Sequence, residues 1–593
     1  MGNDNERKKK VATVVASSFI AICMVVAVTV GISNDIKKQA HEKDHHLAED
    51  QPGGEDHSIS TSNKAIVSIC HPADYKDTCL QTLTKAAGNT TDPIQLAKFA
   101  LMAAIKSLRG AKKDSAALDQ LAKDPLSSQA IESCRELLHT AIADLRDSFA
   151  YIDSLEVNQH LSSLNVWLSA ATTYLQTCQD GFQNTTDQVG AKMKALLVTP
   201  THLTRNGLAI VIGLESSIKD FNNGTKNHVA DVETKNLPHR GLLESQGDFP
   251  SWVDAGKRKL LEETLETIKP DIIVAQDGSG HYKTINDAVR KIPKKGNATF
   301  VIYIKEGVYK ENVILGRSMT HVMMIGDDAE KTRITGNLSF SAGVQTFKTA
   351  TVAISGNHFM AKDIGFENSA GAVGHQAVAL KVQSDKSVFY RCRMDGYQDT
   401  LYAHTYRQFY RDCTITGTVD FIFGNAAAVF QNCNLVVRKP LEKQECIVTA
   451  QGRGETHEVT GFVIQNCTIT ADEEYYPLRL NNPAFLGRPW RIYSRTIVME
   501  SQIDDLISPQ GWFPWAGNFG LDTSFYSEYN NKGPGATQTK RVTWKGIKNL
   551  TRHEIDGFTA AKFIQGDEWI TSTGVPYTSG LTNVEEEHSS SKA

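Results

Sequence analysis

The apolar and polar positions fall into three successive regimes along the chain. Residues 11–32 form 22 positions without a charge, directly after Arg7, Lys8, Lys9 and Lys10. A helix of that length spans about 30 Å of hydrocarbon, whereas the apolar part of a cleaved signal runs to roughly 7–15 residues. A signal anchor is therefore expected over residues 1–32, in preference to a cleaved signal, with the basic flank cytoplasmic and the remainder lumenal. Residues 33–62 are polar and rich in His, Asp, Glu and Lys, which predicts a flexible stalk.

The second regime, residues 63–221, repeats apolar positions every three or four residues. Asp92-Pro93 is a cap and first-turn pair ahead of Ile94, Ala97, Leu101, Ala104, Ile105 and Leu108. Further stripes run through Ile131, Cys134, Leu138, Ala141, Leu145, Phe149 and Ile152, and through Leu161, Leu164, Leu168, Ala171, Leu175 and Cys178. A last helix is expected from about Gln188 through Leu208, Ile212 and Ile218, interrupted at Pro200. Four one-sided helices pack most simply as an antiparallel four-helix bundle. Residues 222–261 read as a linker, in which Arg240 and Arg258 are exposed basic sites open to a processing protease.

In the third regime, residues 262–593, short apolar runs alternate with Gly and Asn turns. One phrase recurs there: Phe389-Tyr-Arg-Cys392, Phe409-Tyr-Arg-Asp-Cys413, Phe430-Gln-Asn-Cys433 and Phe462-Val-Ile-Gln-Asn-Cys467. Its cysteines advance by 21, 20 and 34 residues, which is a coil of about 20 with one inserted loop. That period predicts a parallel β-helix, right-handed like other parallel crossovers. Equivalent residues on neighbouring coils then lie about 4.8 Å apart, within reach of a disulfide. Cys413 with Cys433 is the preferred pair, with Cys392–Cys413 as its competitor. In the helical part, one local bridge (Cys70 with Cys79) and one between helices (Cys134 with Cys178) are expected.

Composition narrows the class without naming a function. Of 593 residues, 40% are hydrophobic and 22% charged, and the formal net charge is −4. This excludes collagen, a long coiled coil and a polytopic membrane protein, and offers no basic field for nucleic acid. The length calls for at least two domains. Seven Asn-x-Ser/Thr sequons, at Asn89, Asn184, Asn223, Asn297, Asn337, Asn466 and Asn549, agree with a secretory route, although Asn466 falls in an expected strand.

The coil period also predicts a chemical constellation. Asp399 and Asp420 stand 21 residues apart, and Gln376 and Gln398 stand 22 apart. One turn of the solenoid thus stacks two carboxylates beside two carboxamides. Carboxylates so close cannot both ionise easily, which separates a charged nucleophile from a protonated acid. Carboxamide N–H groups suit an oxyanion. The set fits acyl transfer from an ester, although spacing alone fits structural turn carboxylates as well. No Cys or His cluster has metal spacing, and no glycine-rich phosphate loop opens a helix, so no cofactor and no metal are expected.

Five phrases occur in order: Gly307-Val-Tyr-Lys-Glu311, Gln376-Ala-Val-Ala-Leu380, Gly396-Tyr-Gln-Asp-Thr-Leu401, Asp420-Phe-Ile-Phe-Gly424 and Leu486-Gly-Arg-Pro-Trp490. Together, over 269–577, they resemble the plant pectin methylesterase family. Residues 63–221, with their four cysteines, resemble the invertase and pectin methylesterase inhibitor family, and the Arg-Gly-Leu-Leu and Arg-Lys-Leu-Leu words at Arg240 and Arg258 look like processing motifs of the pectin methylesterase family. The resemblance implies hydrolysis of pectin methyl esters to pectate and methanol, with an inhibitory or folding pro-region. It implies Asp420 as nucleophile, Asp399 as acid and then base, and Gln398 and Gln376 as the oxyanion pair. Arg488 would hold Asp420 charged and in place, Trp490 would stack on a sugar, and Thr346 would contact substrate. Tyr309 and Glu311 shape the fold, and His375 and His404 take no catalytic part. The implied partners are pectin, a processing protease and an inhibitor protein, with the membrane met only through the anchor and the mature enzyme in the cell wall. Two other readings are a lyase or polygalacturonase on the same architecture, and a non-enzymatic pectin-binding, esterase-inhibiting protein.

Overall fold

Two helices lead the folded part of the chain, α1 (Thr61–Cys70) and α2 (Lys76–Ala86), and the Cys70–Cys79 disulfide closes the turn between them. Four long helices follow: α3 (Pro93–Asp114), α4 (Pro125–Tyr151), α5 (Val157–Asp180) and α6 (Val189–His228). The computed structural model describes residues 61–152, 157–228 and 269–582, so the expected anchor at 11–32, the stalk up to residue 60, Arg240 and Arg258 lie outside it, and the last two residues of the expected stalk, Thr61 and Ser62, open α1 instead. Among the described residues no helix is long and apolar enough to cross a membrane.

The start of α3 is the one expected from its cap: the Asp92 carboxylate accepts from the Ile94 N–H at 2.9 Å, with Pro93 in the first turn. The apolar stripes pack as one core, with Ile94, Phe149 and Ile212 half-buried at its edge and the side chain of Ile218 outside the described residues, and Cys134–Cys178 ties α4 to α5. Helix α4 packs along α5, α5 along α6, and α6 returns to α3. Pro200 does not interrupt α6, and the helix runs on through 222–228, where a linker was expected. A proline inside a helix removes one N–H, here the donor to the Leu196 carbonyl, and packing against α3 and α5 holds the turn around that gap.

From Ile272 the chain becomes a parallel β-helix. Among the described residues its strands form three parallel sheets of ten, seven and eight strands, and, except at the two ends of the ten-stranded sheet, each strand pairs with the one three places on in sequence, so one coil contributes one strand to each sheet. Phe389, Tyr410, Phe430 and Ile464 are register partners, reproducing the 21, 20 and 34 steps. The Phe389 and Tyr410 rings stack at 4.9 Å and the Tyr410 and Phe430 rings at 4.6 Å, inside a core of Ile, Val and Leu. Tyr309 and Glu311 are structural: Tyr309 is buried, and Glu311 accepts from the backbone N–H groups of Ile285 and Asn286 at 2.8 and 2.9 Å.

The cysteine ladder is real, but its rungs are thiols. Cys392, Cys413, Cys433 and Cys467 are free and buried, so neither Cys413–Cys433 nor Cys392–Cys413 is bridged. In-register parallel neighbours hold their Cβ atoms near the strand spacing, about 4.8 Å, beyond the roughly 3.5–4.5 Å a disulfide needs. The thiols instead donate to backbone carbonyls, Cys413 to Phe389 and Arg411 at 3.4 Å, and Cys433 to Gln431 at 3.4 Å. The residue before each rung, Arg391, Asp412, Asn432 or Asn466, has a left-handed φ of 50–55° and forms the corner between two sheets. Asn466 is therefore an exposed corner residue rather than a strand residue.

Candidate active site

The seven-stranded sheet carries the chemistry. Leu380, Leu401 and Ile422 are register partners on successive coils, which places Asp399 and Asp420 at equivalent positions two residues ahead of their strands. Alternation would turn both side chains inward with Leu401 and Ile422. Their left-handed φ values, 64° and 51°, break that alternation, and both carboxylates line a cavity instead. Aspartate tolerates this conformation better than most residues. Gly424 fixes the approach of the next turn, because a Cβ there would sit 2.0 Å from the Ala403 carbonyl oxygen.

Gln376 pairs with Gln398 across the same coils as a parallel bridge. Among the described residues no hydrogen bond engages either carboxamide, and both face the cavity. The outward row of the sheet continues through Tyr402, Phe423 and Ala450 in register, and Arg488, one residue beyond Gly487, joins that row. From there the guanidinium reaches back to Asp420 as a two-point fork, Nε to Oδ1 at 2.8 Å and Nη2 to Oδ2 at 2.6 Å.

Burial first, and the neighbouring Asp420 carboxylate second, push the Asp399 carboxyl well above its ordinary range, while Arg488 pulls the other way. The two acids are thus unlike in environment. One is gripped by a cation, and the other favours its proton.

Every residue expected to act on substrate, Asp420, Asp399, Gln398, Gln376, Arg488, Trp490 and Thr346, lines this one cavity of about 270 Å³. Trp490 packs edge-on against Phe423 at 5.9 Å. Sequence reasoning missed Trp515, whose ring lies 4.4 Å from the Arg488 guanidinium carbon, and the stacked Tyr402–Phe423 pair, with centroids 4.2 Å apart. A signal existed for the second: both residues follow a candidate acid by three positions, one coil apart. His404 is buried, 2.7 Å from the Thr177 hydroxyl, and burial drives its imidazole towards the neutral form. His375 is exposed and does not line the cavity. The described sequons Asn89, Asn184, Asn297, Asn337, Asn466 and Asn549 are all exposed, and Asn184 stands at the cavity wall. The side chain of Asn223 lies outside the described residues.

The other wall of the cavity is helical. Leu126, Ala130, Asp180 and Gly181 face the acids. Opposite its apolar stripe, α5 carries polar side chains that bond to the β-helix: Trp167 to Asp385 at 3.1 Å, Thr173 from Asn425 at 2.8 Å, and Asp180 from Arg491 at 2.6 Å. The Gln345 carboxamide, next to Thr346, donates to the Leu126 and Gly181 carbonyls at 2.8 and 2.6 Å. Tyr402, Phe423 and Ala450 belong to the same apolar cluster as the helical core.

Comparison with known proteins gives two family matches, "Pectinesterase" over residues 271–567 and "Plant invertase/pectin methylesterase inhibitor" over residues 64–210. An Arabidopsis thaliana protein named "Putative pectinesterase/pectinesterase inhibitor 28" is 50% identical over 98% of this chain and 76% of its own length. "Pectinesterase/pectinesterase inhibitor U1" of Solanum lycopersicum is 39% identical over 97% of each chain. The solved structure of a pectin methylesterase from carrot is 49% identical, with a TM-score of 0.53, covering 53% of this chain and 99% of that one.

Proposed function

This chain belongs to the pectinesterase family, with an inhibitor-type region ahead of the esterase, and from that premise we propose how its cavity works on pectin. It is a carboxylic ester hydrolase that removes methyl groups from pectin. An Asp420 oxygen attacks the C6 carbonyl of a methylated galacturonate. The oxyanion that forms is met by the amide N–H groups of Gln398 and Gln376. Asp399 gives its proton to the methoxy oxygen, methanol leaves, and an acyl-enzyme remains on Asp420. The Asp399 carboxylate then takes a proton from water, the water oxygen attacks the acyl carbon, and Asp420 is released. The balance is one water consumed and one methanol and one galacturonate formed. Arg488 stabilises the charge on Asp420 between turnovers, and Trp490 and Thr346 hold the sugar.

One observation carries the mechanism above the others. Two carboxamides with no other hydrogen-bond duty among the described residues face the cavity beside an acid that favours its proton and an acid gripped by arginine. The circuit of α3 to α6 supports the reading of a four-helix bundle, and its position over the cavity supports an inhibitory pro-region. Cleavage after Arg240 or Arg258 in the linker would free the catalytic part, delivered to the cell wall by the segment at 11–32.

The test compares methanol release by the fragment beginning at Glu262 with that of the uncleaved chain, and with Asp420→Ala in the fragment. Methanol from the fragment, and none from the variant, is expected. Unsaturated or new reducing ends without methanol would point to a lyase or a glycosidase instead.

A further inference from the structure

In the loop at 452–460, Glu455 and His457 stand close together, and Asp74 from the turn between α1 and α2 meets them. One ligand atom from each of the three lies within 4.8 Å of the others. His457 Nδ1 is 3.2 Å from Glu455 Oε2 and 3.8 Å from Asp74 Oδ2. A tetrahedral Zn²⁺ with ligand bonds of about 2.0–2.2 Å sets its ligand atoms roughly 3.3–3.5 Å apart. The His457–Glu455 contact lies near that bite and the His457–Asp74 contact is a few tenths of an ångström wider, and both are long for a charge-assisted hydrogen bond, which prefers about 2.7–2.9 Å.

A second observation points the same way. The Glu455 side chain is only 2% exposed, yet its Oε1 has no hydrogen-bond partner among the described residues. A buried carboxylate oxygen without a donor is costly unless something fills the place. The nearby guanidiniums do not fill it. Arg453 donates to the Glu458 and Thr456 carbonyls, and Arg205 donates to the Tyr75 phenol at 3.2 Å.

We propose that Asp74, Glu455 and His457 form a site for one divalent transition-metal cation of the Zn²⁺ class, bridging the helical region to the β-helix. The imidazole nitrogen selects against Ca²⁺ and Mg²⁺, which take oxygen ligands, and favours Zn²⁺ or Co²⁺. Three protein ligands leave one position for water. The turn that carries Asp74 is closed by the Cys70–Cys79 disulfide, so this ligand is held in place before any metal arrives. Because only Asp74 comes from the helical region, the cation acts as a clasp between the two parts. These ligands lie 381 and 383 residues from Asp74 in sequence, which is why no motif announces them.

The experiment uses the full chain, stripped with a chelator and dialysed. Zn²⁺ alone is titrated by calorimetry, and Co²⁺ alone is followed by its visible spectrum. One Zn²⁺ per chain is expected, with a tetrahedral Co²⁺ band and a higher unfolding temperature in Zn²⁺. Asp74→Asn and His457→Gln should each weaken Zn²⁺ binding at least tenfold while keeping a cooperative unfolding transition in the chelator. Two results would overturn the site: no Zn²⁺ bound by the full chain, or Zn²⁺ held equally well by both variants, as binding at the N-terminal His41, His45 and His46 would give.

Discussion

Arg488 holds both carboxylate oxygens of Asp420, at 2.8 and 2.6 Å, from a position two strands further along the same sheet. A guanidinium does this with a planar fork, and an ammonium cannot. Arg488→Lys should therefore keep the charge and lose the orientation. A fall in kcat of roughly 10²-fold is expected for it, and a larger one for Arg488→Ala. Arg488→Ala should also cost about 3 kcal/mol of stability, because it strands a buried carboxylate. Kinetics and denaturant melts of both variants check this, and a lysine variant with full activity would remove the fork from the mechanism.

Gln376 and Gln398 separate cleanly from structural roles, because no hydrogen bond engages their carboxamides among the described residues. Truncating either to alanine should leave the unfolding free energy within about 0.5 kcal/mol of the parent. The same truncation should lower kcat by roughly 10²–10³-fold with little change in KM, as expected for a donor used mainly in the transition state. Loss of stability without loss of kcat would reverse the assignment.

Asp399 makes a prediction with a definite sign in pH. Its carboxyl is raised by burial and by Asp420, so the folded protein holds this proton to higher pH than the unfolded chain does. The folded state is favoured by this group at low pH and loses that advantage as pH rises from the unfolded value of 3.8 through the raised folded value. Asparagine has no charge to bury. Asp399→Asn should thus be inactive, match the parent in stability near pH 4, and exceed it increasingly towards neutral pH. Thermal melts across that range check it, and a variant less stable at neutral pH than the parent would contradict it.

The acids and amides were legible because a solenoid converts sequence distance directly into space. A step of 21 from Asp399 to Asp420 is one coil, and in-register parallel pairing leaves little freedom about where the second residue lands. The same rule misled at the cysteines, since thiols and disulfides share a coil spacing and only the Cβ separation tells them apart. The helical wall was not legible at all. Asp180 and Arg491 lie 311 residues apart, in different folds, and no periodicity relates them. Trp515 likewise reaches Arg488 from a loop outside the repeating coils.

The thiol ladder has its own check. Alkylation of the denatured, unreduced fragment beginning at Glu262 should label five cysteines: Cys392, Cys413, Cys433, Cys446 and Cys467. Mass spectrometry counts them directly. A fragment that takes up three labels would restore one bridge between coils.

The pair formed by Asp180 and Arg491 decides whether the helical region restrains the enzyme it is joined to. The two side chains are 17% and 23% exposed, so the pair is partly desolvated, and it sits beside the Gln345 anchor at the edge of the catalytic cavity. Removing one partner of such a pair costs about 2–5 kcal/mol of docking, a factor of 10 or more. Asp180 is the last residue of α5, where a negative charge is unfavourable to the helix dipole, so its loss should not unfold the helix that carries it. Asp180→Ala in the uncleaved chain should therefore raise methanol release at least several-fold, up to the rate of the fragment beginning at Glu262. The rate of that fragment itself cannot change, since it lacks residue 180. An uncleaved chain already as fast as its fragment, or a variant no faster than the parent, would leave the helical region as a folding aid rather than a brake.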